Sequence, residues 1–285
     1  MTSERMDEPI VLVVGASSGI GRATARLLSA RHARLALAAR SAADLAQVEH
    51  ECLESGATQV LVVPANVTDA AAVDHLVSEI VAAYGRIDAI VHCAAVLAYG
   101  RFDDIPAEVF DQVIRTNVGG TANVARAGLR QFRTQGGGRL VLVSSLLGKV
   151  ALPYLSPYVT SKWAVHGLAA VLRQELRTSP GIEVSVVSPG SVDTPIYARA
   201  ATYLGWHGRP IPPVDQPDRV AAEVVRTVAR PRRERSVGRL NHLVVGTFRL
   251  LPGLFDRLAG PVTRRFGVQR NQQVPPTSGN VFESS

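Results

Sequence analysis

Tyr158 and Lys162 stand four residues apart in the stretch Y-V-T-S-K, and together their side chains could move a proton to or from an alcohol oxygen. Residues at this spacing share one face of a helix. A phenol has a pKa of ~10, so proton exchange near neutral pH requires a lowering of roughly 3 units, or about 4 kcal/mol. A cation at ~4 Å in an effective dielectric of ~20 supplies an interaction of that order. We therefore expect Lys162 to lower the pKa of Tyr158; the alternative is a tyrosine packed against a lysine stem.

The lysine is informative because the chain almost always uses arginine instead. Of its 31 basic residues only two, Lys149 and Lys162, are lysines. A lysine that remains in such a chain indicates a site where a planar guanidinium does not serve, since a compact ammonium reaches a phenol and a sugar hydroxyl that arginine does not fit. Ser156 followed by Pro157 predicts a helix N-cap and first turn, which places the pair on the opening turns of a helix.

A glycine-rich turn, V-G-A-S-S-G-I-G at residues 14–21, follows the first predicted strand. Glycines at 15, 19 and 21 permit a tight turn and close approach of the backbone to a ligand. The helix that begins behind them offers N–H groups and a positive dipole end to a pyrophosphate. In the first βα unit this turn predicts a dinucleotide site.

The elements that must position these residues alternate along the chain between residue 10 and about residue 190, which is typical of βαβ units. We predict strands at residues 10–14, 34–39, 59–63, 89–92, 139–144 and 183–188, and helices at 22–30, 43–54, 70–84, 108–132 and 158–178. The strands lack polar alternation, so both faces of the sheet should be covered. The prediction is an α/β fold, a Rossmann-like doubly wound parallel sheet of about seven strands with helices on both faces.

Composition limits the class of protein. A chain of 285 residues with 46% hydrophobic content can bury one large core. The net charge of +7 is concentrated between Arg226 and Arg270 without base-stacking aromatics, which argues against nucleic-acid binding. Cys52 and Cys93 have no metal-binding spacing, and the polar N-terminus lacks the layout of a secretory signal. We expect a cytoplasmic protein with no metal site, and no apolar run approaches the ~18 residues needed to span a bilayer.

The form of the glycine motif, G-x-x-x-G-x-G, resembles that of the short-chain dehydrogenase/reductase family, and the resemblance extends over residues 10 to about 240. It implies a catalytic tetrad. Tyr158 would be the acid or base and Lys162 would lower its pKa and hold the ribose. Ser145, thirteen residues before the tyrosine, would bond the substrate oxygen, with Ser144 the neighbouring candidate. Asn117 would hold a water in a proton relay.

The same resemblance implies a set of contacts to a nicotinamide cofactor. Asn66 stands where the family commonly has an aspartate at the adenine pocket, and H-C-A-A at 92–95 replaces the usual Asn-Asn-Ala-Gly. The implied cofactor residues are Gly15, Ser17, Ser18, Gly19, Ile20, Gly21, Arg40, Asn66, Val67, Ala94, Tyr158, Lys162, Pro189, Gly190, Val192 and Thr194.

The end of the second strand predicts which nicotinamide cofactor binds. An acidic residue there would bind the ribose 2′-OH of NAD, but this chain has Ala39 and Arg40. Arginine suits a 2′-phosphate through its charge and paired donors, and Ser17 could add a hydroxyl contact. We therefore expect NADP(H) to be preferred over NAD(H); the alternative is that Arg40 is one more surface arginine.

The family's variable substrate loop falls after Thr194. Ile196, Tyr197, Tyr203, Leu204 and Trp206 give this stretch an aromatic and apolar character, which favours a hydrophobic substrate over a small charged acid. We expect Ser145, Tyr197, Tyr203 and Trp206 to contact that substrate.

Beyond a single domain over 1–240, apolar residues recur at helical spacing with arginines alongside, and Pro252 and Pro261 interrupt the pattern. The pattern predicts a helical extension over 241–270, and residues 271–285 have the composition of a disordered tail. Three roles for the extension stay open: packing on the core or a neighbouring subunit, a cover over the substrate pocket, or a helix on a membrane surface. We favour packing, because short helices need tertiary contacts.

Together these features predict an NADP(H)-dependent oxidoreductase that interconverts a hydrophobic ketone or aldehyde and its alcohol, assembled as a homo-dimer or homo-tetramer. The alternative is a non-catalytic dinucleotide-binding sensor or scaffold. Because such a protein need not keep all four residues of the tetrad, their presence argues against it.

Overall fold

The fold is known from a computed structural model that describes residues 8–283. Its strands in chain order are β1 (Ile10–Val14), β2 (Arg34–Ala38), β3 (Gln59–Val62), β4 (Ala89–His92), β5 (Ala98–Tyr99), β6 (Gly138–Val143), β7 (Ile182–Pro189), β8 (Ser191–Val192), β9 (Ala201–Thr202), β10 (Trp206–Gly208), β11 (Val214–Asp215), β12 (Glu234–Val237) and β13 (Val268–Gln273). Seven of them form one parallel sheet in the order β12-β7-β6-β4-β1-β2-β3. The predicted doubly wound parallel sheet is confirmed.

Helices cover both faces of this sheet. They are α1 (Gly19–Ser29), α2 (Ala42–Glu54), α3 (Ala70–Tyr84), α4 (Ala107–Ile114), α5 (Gly120–Gln135), α6 (Ser156–Glu175), α7 (Pro217–Ala229), α8 (Asn241–Leu250) and α9 (Pro252–Phe266). All five residues of β1 are buried, and alternate residues contribute to two separate cores, one on each face. This burial on both sides explains why the strands show no polar alternation.

The order of the strands creates a cleft at one edge of the sheet. The chain runs outward from β1 through β2 to β3, then returns to the other side of β1 and runs outward again through β4, β6, β7 and β12. The loops after β1 and β4 therefore separate at their carboxyl ends, which is where doubly wound sheets bind ligands. Both the glycine turn and the H-C-A-A stretch lie at this point.

The region predicted as one helix over 108–132 contains an irregular turn. Between α4 and α5 the segment Arg115–Gly119 is π-helical, and it holds Thr116 and Asn117 in the interior. The hydroxyl of Thr121 donates to the Asn117 carbonyl at 2.6 Å, which satisfies that group within the turn. Such single-turn π segments occur often at functional sites.

The predicted N-cap of α6 is wrong by one residue. Ser156 is the first helical residue, Leu155 holds the cap position without a side-chain bond, and Pro157 lies in the first turn as predicted. The Ser156 hydroxyl is buried without a hydrogen-bond partner among the described residues. The proline fixes the start of the helix, so Tyr158 and Lys162 still lie on its opening turns.

The extension packs on α6 through three aromatic rings. Phe248 of α8 contacts Trp163 of α6 and Phe255 of α9 edge-on, with ring centroids 6.2 and 5.1 Å apart. Several apolar side chains in and beside the pair are also accessible to solvent: Leu240, Leu243, Leu250, Leu251, Leu254, Leu258, Val262 and Phe266. No helix within residues 8–283 combines the length and apolar content that crossing a bilayer requires.

Disorder was predicted for residues 271–285, but residues 273–283 form contacts with the body; residues 284 and 285 lie outside the described part of the chain. β13 pairs antiparallel with β10, Thr277 pairs with Thr202, and Val281 is fully buried. Composition suggested disorder because the segment has few apolar residues, but one valine in an apolar socket and a short run of backbone hydrogen bonds hold residues 274–283 against the body.

Candidate active site

Tyr158 and Lys162 meet inside a cavity at the carboxyl end of β6. The Lys162 ammonium lies 5.4 Å from the centroid of the Tyr158 ring and donates to the Val143 carbonyl at 3.3 Å. The lysine is 4% exposed. The i, i+4 spacing on α6 thus brings the two side chains together, and the end of β6 supplies the acceptor that holds the ammonium.

The predicted lowering of the Tyr158 pKa by Lys162 is not seen in this arrangement. Burial raises the pKa of Tyr158 well above its usual range, nearby Tyr197 adds to the rise, and a hydrogen bond with Ser145 opposes it. Burial also lowers the pKa of Lys162 to about 8. Removal of both groups from water therefore outweighs the attraction between them, because the cavity disfavours each charged form. At neutral pH the phenol is held protonated.

Ser145 follows β6 and faces the same cavity. It is 7% exposed, and its hydroxyl accepts a hydrogen bond from the Leu147 N–H at 3.1 Å, which starts a short 3₁₀ turn over Leu146–Gly148. That turn aims the hydroxyl toward Tyr158 and away from the strand. Ser144, the neighbouring candidate, also lines the cavity, and its buried hydroxyl has no partner among the described residues.

Asn117 joins the loop after β4 to α6. Its Oδ1 accepts from the Val96 N–H at 2.8 Å, and its Nδ2 donates to the Val96 carbonyl at 2.9 Å and to the Ser161 hydroxyl at 3.0 Å. Ser161 in turn donates to the Tyr158 carbonyl at 2.7 Å. Both amide hydrogens are therefore used, and the side chain acts as a clamp between the two elements.

The glycine turn forms the floor of a groove of about 170 Å³ at the start of α1. Gly15 has φ +82°, and a Cβ there would lie 2.5 Å from the Ala94 nitrogen. A Cβ on Gly21 would collide with the Gly15 carbonyl. Ser18 precedes α1 without capping it through its side chain, so the first N–H groups of the helix stay available to an anion. The groove thus fits a pyrophosphate.

Eleven of the implied cofactor residues line this groove: Gly15, Ser17, Ser18, Gly19, Ile20, Gly21, Arg40, Asn66, Val67, Ala94 and Thr194. Pro189, Gly190 and Val192 instead line the adjoining cavity, next to Tyr158 and Lys162. Within the groove, the Asn66 Oδ1 accepts from the Thr68 N–H at 3.1 Å and from its hydroxyl at 3.0 Å. The Oδ1 of Asn66 therefore stabilises the turn that Asn66 and Thr68 form, and the Nδ2 of Asn66 remains available to a ligand.

The adjoining cavity, of about 410 Å³, has mostly apolar walls. It opens into the groove through a shared set of residues, Ile20, Cys93, Ala95, Thr194 and Ile196. Tyr158, Lys162 and Ser145 lie in its wall. A ligand in the cavity and a dinucleotide in the groove would therefore meet beside the tyrosine.

Of the predicted substrate contacts, Ser145 and Tyr197 line the cavity but Tyr203 and Trp206 do not. Tyr203 packs against the cluster around Val96, and Trp206 pairs with Gln273 in the β10-β13 ribbon. The sequence placed all three aromatics on one loop, but β9 and β10 turn the chain away from the cavity after Tyr197. Tyr203 and Trp206 therefore lie outside the wall of this cavity, and their contact with a substrate stays a prediction.

The helical extension supplies the part of the wall that the sequence assigned to that loop. Val244 and Thr247 of α8 and Phe255, Leu258 and Val262 of α9 face the cavity. The structure thus combines two of the three roles considered for the extension: the helices pack on α6, and they also cover the pocket. The apolar stripe was the available signal, but its partner was not visible in the sequence.

His92, the last residue of β4, and Cys93, which is partly exposed, stand where the resemblance leads one to expect asparagines. His92 is 2% exposed, and neither ring nitrogen has a partner among the described residues. Burial, with a contribution from Lys162, lowers its pKa to about 3, so the ring is neutral. Burial likewise raises the pKa of Cys93 to about 12. Because the His92 ring and the Cys93 thiol are both neutral, the Lys162 ammonium is the charged group in this part of the site.

The second lysine lies outside the cavity. Lys149 forms an ion pair with Glu234, and the Ser188 hydroxyl donates to the same carboxylate at 2.6 Å. Burial opposes the ionised form of Glu234, but Lys149 and Ser188 outweigh it and lower its pKa. Lys149 thus ties the turn after Ser145 to β12.

Comparisons with known proteins show what this chain is similar to. A family model described as short chain dehydrogenase matches residues 9–203. The chain is 29% identical over 260 residues to the uncharacterized oxidoreductase YxnA of Bacillus subtilis, covering 90% of this chain and 72% of that protein. It is 33% identical over 265 residues to the probable oxidoreductase EphD of Mycobacterium tuberculosis, covering 86% of this chain but 43% of EphD. The solved structure of an alcohol dehydrogenase from the archaeon Thermococcus sibiricus, complexed with 5-hydroxy-NADP, matches with a TM-score of 0.70 and 26% sequence identity. The match covers 81% of this chain and 96% of the dehydrogenase.

Proposed function

The chain belongs to the short-chain dehydrogenase/reductase family, and from that membership we propose that it is an NADP(H)-dependent oxidoreductase that interconverts a hydrophobic ketone or aldehyde and its alcohol. One observation carries the proposal. The apolar cavity that contains Tyr158, Lys162 and Ser145 opens directly into the glycine groove. A carbonyl carbon in the cavity would lie next to a nicotinamide at the junction, with the proton donor beside its oxygen.

The residues divide the proton chemistry among themselves. When bound, the cofactor gives or takes the hydride. Tyr158 gives the proton to the carbonyl oxygen, and burial keeps its phenol protonated at neutral pH. Ser145 donates a hydrogen bond to the same oxygen, and the Lys162 ammonium favours the phenolate that remains. Asn117 holds the start of α6 in place and supports the relay that returns a proton to Tyr158. Oxidation of the alcohol uses the same groups in reverse.

The preference for NADP(H) rests on Arg40. It lines the groove after β2, where an acidic residue would repel a 2′-phosphate. Among residues 8–283 no carboxylate forms an ion pair with Arg40, so its charge is uncompensated. A phosphate would supply the missing anion. The NADP analogue in the similar alcohol dehydrogenase supports the same choice.

Substitution of Arg40 by aspartate is expected to weaken NADPH binding by roughly 1 to several kcal/mol, about tenfold or more, and to favour NADH relatively. The reason is that a repulsion replaces an attraction at the 2′-phosphate. Dissociation constants for both cofactors, measured by fluorescence titration, test this. Arg31→Asp makes the same charge change on the exposed surface and should leave the NADPH to NADH ratio unchanged. An unchanged ratio in Arg40→Asp would make Arg40 a surface arginine.

The cavity favours lipophilic substrates. Its volume of about 410 Å³ suits a molecule of drug-like size, and its walls come from leucine, valine, isoleucine and tyrosine side chains. A panel of ketones and aldehydes, graded from small and charged to large and apolar, should show the highest kcat/KM for large apolar members when NADPH oxidation is followed optically. NADPH binding without turnover of any member would favour the non-catalytic dinucleotide-binding protein instead.

Assembly and compartment follow from the surface and the cysteines. Leu250, Leu251, Leu254 and Phe266 of the extension are exposed and lie outside the cavity wall. This apolar surface fits a partner subunit better than open water, so we propose a homo-dimer or homo-tetramer and place a membrane surface second. Cys52 and Cys93 are both free thiols, which agrees with a cytoplasmic protein.

A further inference from the structure

The last described residues lie against the cofactor groove, and we call residues 277–283 the C-terminal clasp. Thr277 exchanges two backbone hydrogen bonds with Thr202, at 2.9 and 3.1 Å. Further on, the Asn280 N–H donates to the Arg199 carbonyl at 2.9 Å. These bonds hold the clasp to the loop that follows Thr194, one wall of the groove. The family match ends at residue 203, so the clasp is a feature of this chain outside the matched region.

An apolar socket fixes the clasp in place. Val281 has no exposed surface, and its side chain packs into the cluster formed by Val96, Ile105, Val109, Val113 and other small apolar residues. Val96 is also the residue whose backbone Asn117 holds. The socket is therefore built on a rigid part of the body, and the clasp is docked by burial as well as by hydrogen bonds.

The clasp holds Arg40 through main-chain oxygens. Nη2 of Arg40 donates to the Asn280 carbonyl at 2.9 Å, and Nη1 donates to the Phe282 carbonyl at 3.2 Å. A guanidinium has five N–H donors, so these bonds leave three. The two acceptors are neutral, so they orient the guanidinium without cancelling its charge. The result is a positioned cation at the edge of the groove whose remaining donors suit a phosphate.

Asn280 also presents its side chain to the groove. The residue is part of the groove wall, and its Oδ1 is buried without a hydrogen-bond partner among the described residues. A buried acceptor without a partner is unfavourable. A hydroxyl or amine of a ligand in the groove would satisfy it.

We propose that the clasp is part of the cofactor site: the carbonyls of Asn280 and Phe282 position Arg40 for the 2′-phosphate of NADP(H), and the Asn280 amide bonds the nucleotide directly. This inference rests on the proposed function and extends it by assigning cofactor selectivity to a segment some 240 residues from Arg40 in sequence. The opposite role is a strap that competes with the phosphate for Arg40, and Glu283 of the clasp does share a small pocket with Arg40. In that case release of the clasp would tighten NADPH binding, which the variants below measure.

Val281→Asp tests the positioning of Arg40. A carboxylate is strongly disfavoured in the apolar socket, so the clasp should undock while the body stays folded. We expect the Kd for NADPH to rise about tenfold and the Kd for NADH to change by less than about threefold, because only the 2′-phosphate uses Arg40. Titration calorimetry gives both constants, limited proteolysis reports whether the clasp is released, and thermal melting reports whether the body is folded.

Val171→Asp is the matched control. Val171 lies on α6 and is 50% exposed, so the same substitution there adds a carboxylate without disturbing the apolar socket, and both constants should stay within about twofold of the wild type. A chain ending at residue 277 replaces Val281→Asp if that variant does not fold. Unchanged or tighter NADPH binding in a folded protein with a released clasp would overturn the positioning role.

Asn280→Ala tests the direct contact, because it removes the amide but keeps the carbonyl that holds Arg40. Affinity for NADPH and NADH should fall together by several fold, about three to ten, with their ratio unchanged. Unchanged affinity for both would overturn this contact. The tests separate a failure of the proposed function from a failure of the proposed role of the clasp. A wild-type protein that binds neither cofactor contradicts the proposed function, whereas normal NADPH binding by the clasp variants contradicts only the role of the clasp in binding.

Discussion

Tyr158→Phe is expected to lower kcat by about 10²- to 10⁴-fold while the Kd for NADPH stays within about threefold. The substitution removes the hydroxyl that carries the proton but keeps the ring that packs beside Tyr197 and over Lys162. Cofactor binding should survive because the glycine groove and Arg40 are untouched. Steady-state kinetics with the best substrate of the panel, together with a fluorescence titration of NADPH, measures both quantities.

Tyr84→Phe is a suitable control for this substitution. The Tyr84 hydroxyl donates to the Leu35 carbonyl at 3.2 Å, away from the cavity, so its loss should cost about 1 kcal/mol of stability and leave kcat unchanged. Undiminished turnover by Tyr158→Phe would rule out Tyr158 as the proton donor. An equal loss in both variants would point to a general effect on the fold.

Lys162→Arg is expected to reduce kcat/KM by about 10²-fold or more, although the charge is kept. Lys162 is 4% exposed, and its ammonium occupies a space bounded by the Val143 carbonyl and the Tyr158 ring. A guanidinium is larger and planar, so it would displace the tyrosine or the end of β6. Measurement of kcat/KM and of the melting temperature separates a misplaced cation from an unfolded protein.

The chain provides its own control in its second lysine. Lys149 pairs with Glu234 outside the cavity, and arginine binds carboxylates as well as lysine does. Lys149→Arg should therefore keep kcat/KM within about threefold of the wild type. If the two variants lost activity equally, or if Lys162→Arg kept it, the idea that the site requires an ammonium would be wrong.

The glycine turn and the pairing of Tyr158 with Lys162 could be predicted from the sequence, because each depends on residues that are close together in the chain. The positive φ of Gly15 and the close approach at Gly21 are requirements that glycine alone meets, and the motif identifies them directly. The i, i+4 spacing brings Tyr158 and Lys162 to one face, since α6 is a regular helix over that stretch. Strand ends were predicted to within a residue or two for the same reason: each is an apolar run bounded by a turn.

The sequence did not reveal the surroundings of individual side chains, and these surroundings decide how a side chain behaves. The pKa of Tyr158 depends on how completely the cavity excludes water, and burial by remote elements overcame the nearby cation. Tyr203 and Trp206 have the right character for a substrate pocket, but two short strands direct them elsewhere. Residue type indicates what a side chain is able to do, and its neighbours determine whether it does so.

By itself, then, the sequence determined the doubly wound sheet, the glycine turn after β1 and the meeting of Tyr158 with Lys162, because each is encoded in short-range pattern and backbone geometry. Only the tertiary structure decided that α8 and α9 form part of the wall of the apolar cavity and that the tail holds Arg40. These contacts join residues as many as 240 positions apart, and nothing in the local pattern of either partner specifies the other. They arise because an apolar stripe or a single valine is buried wherever the folded body offers a matching surface.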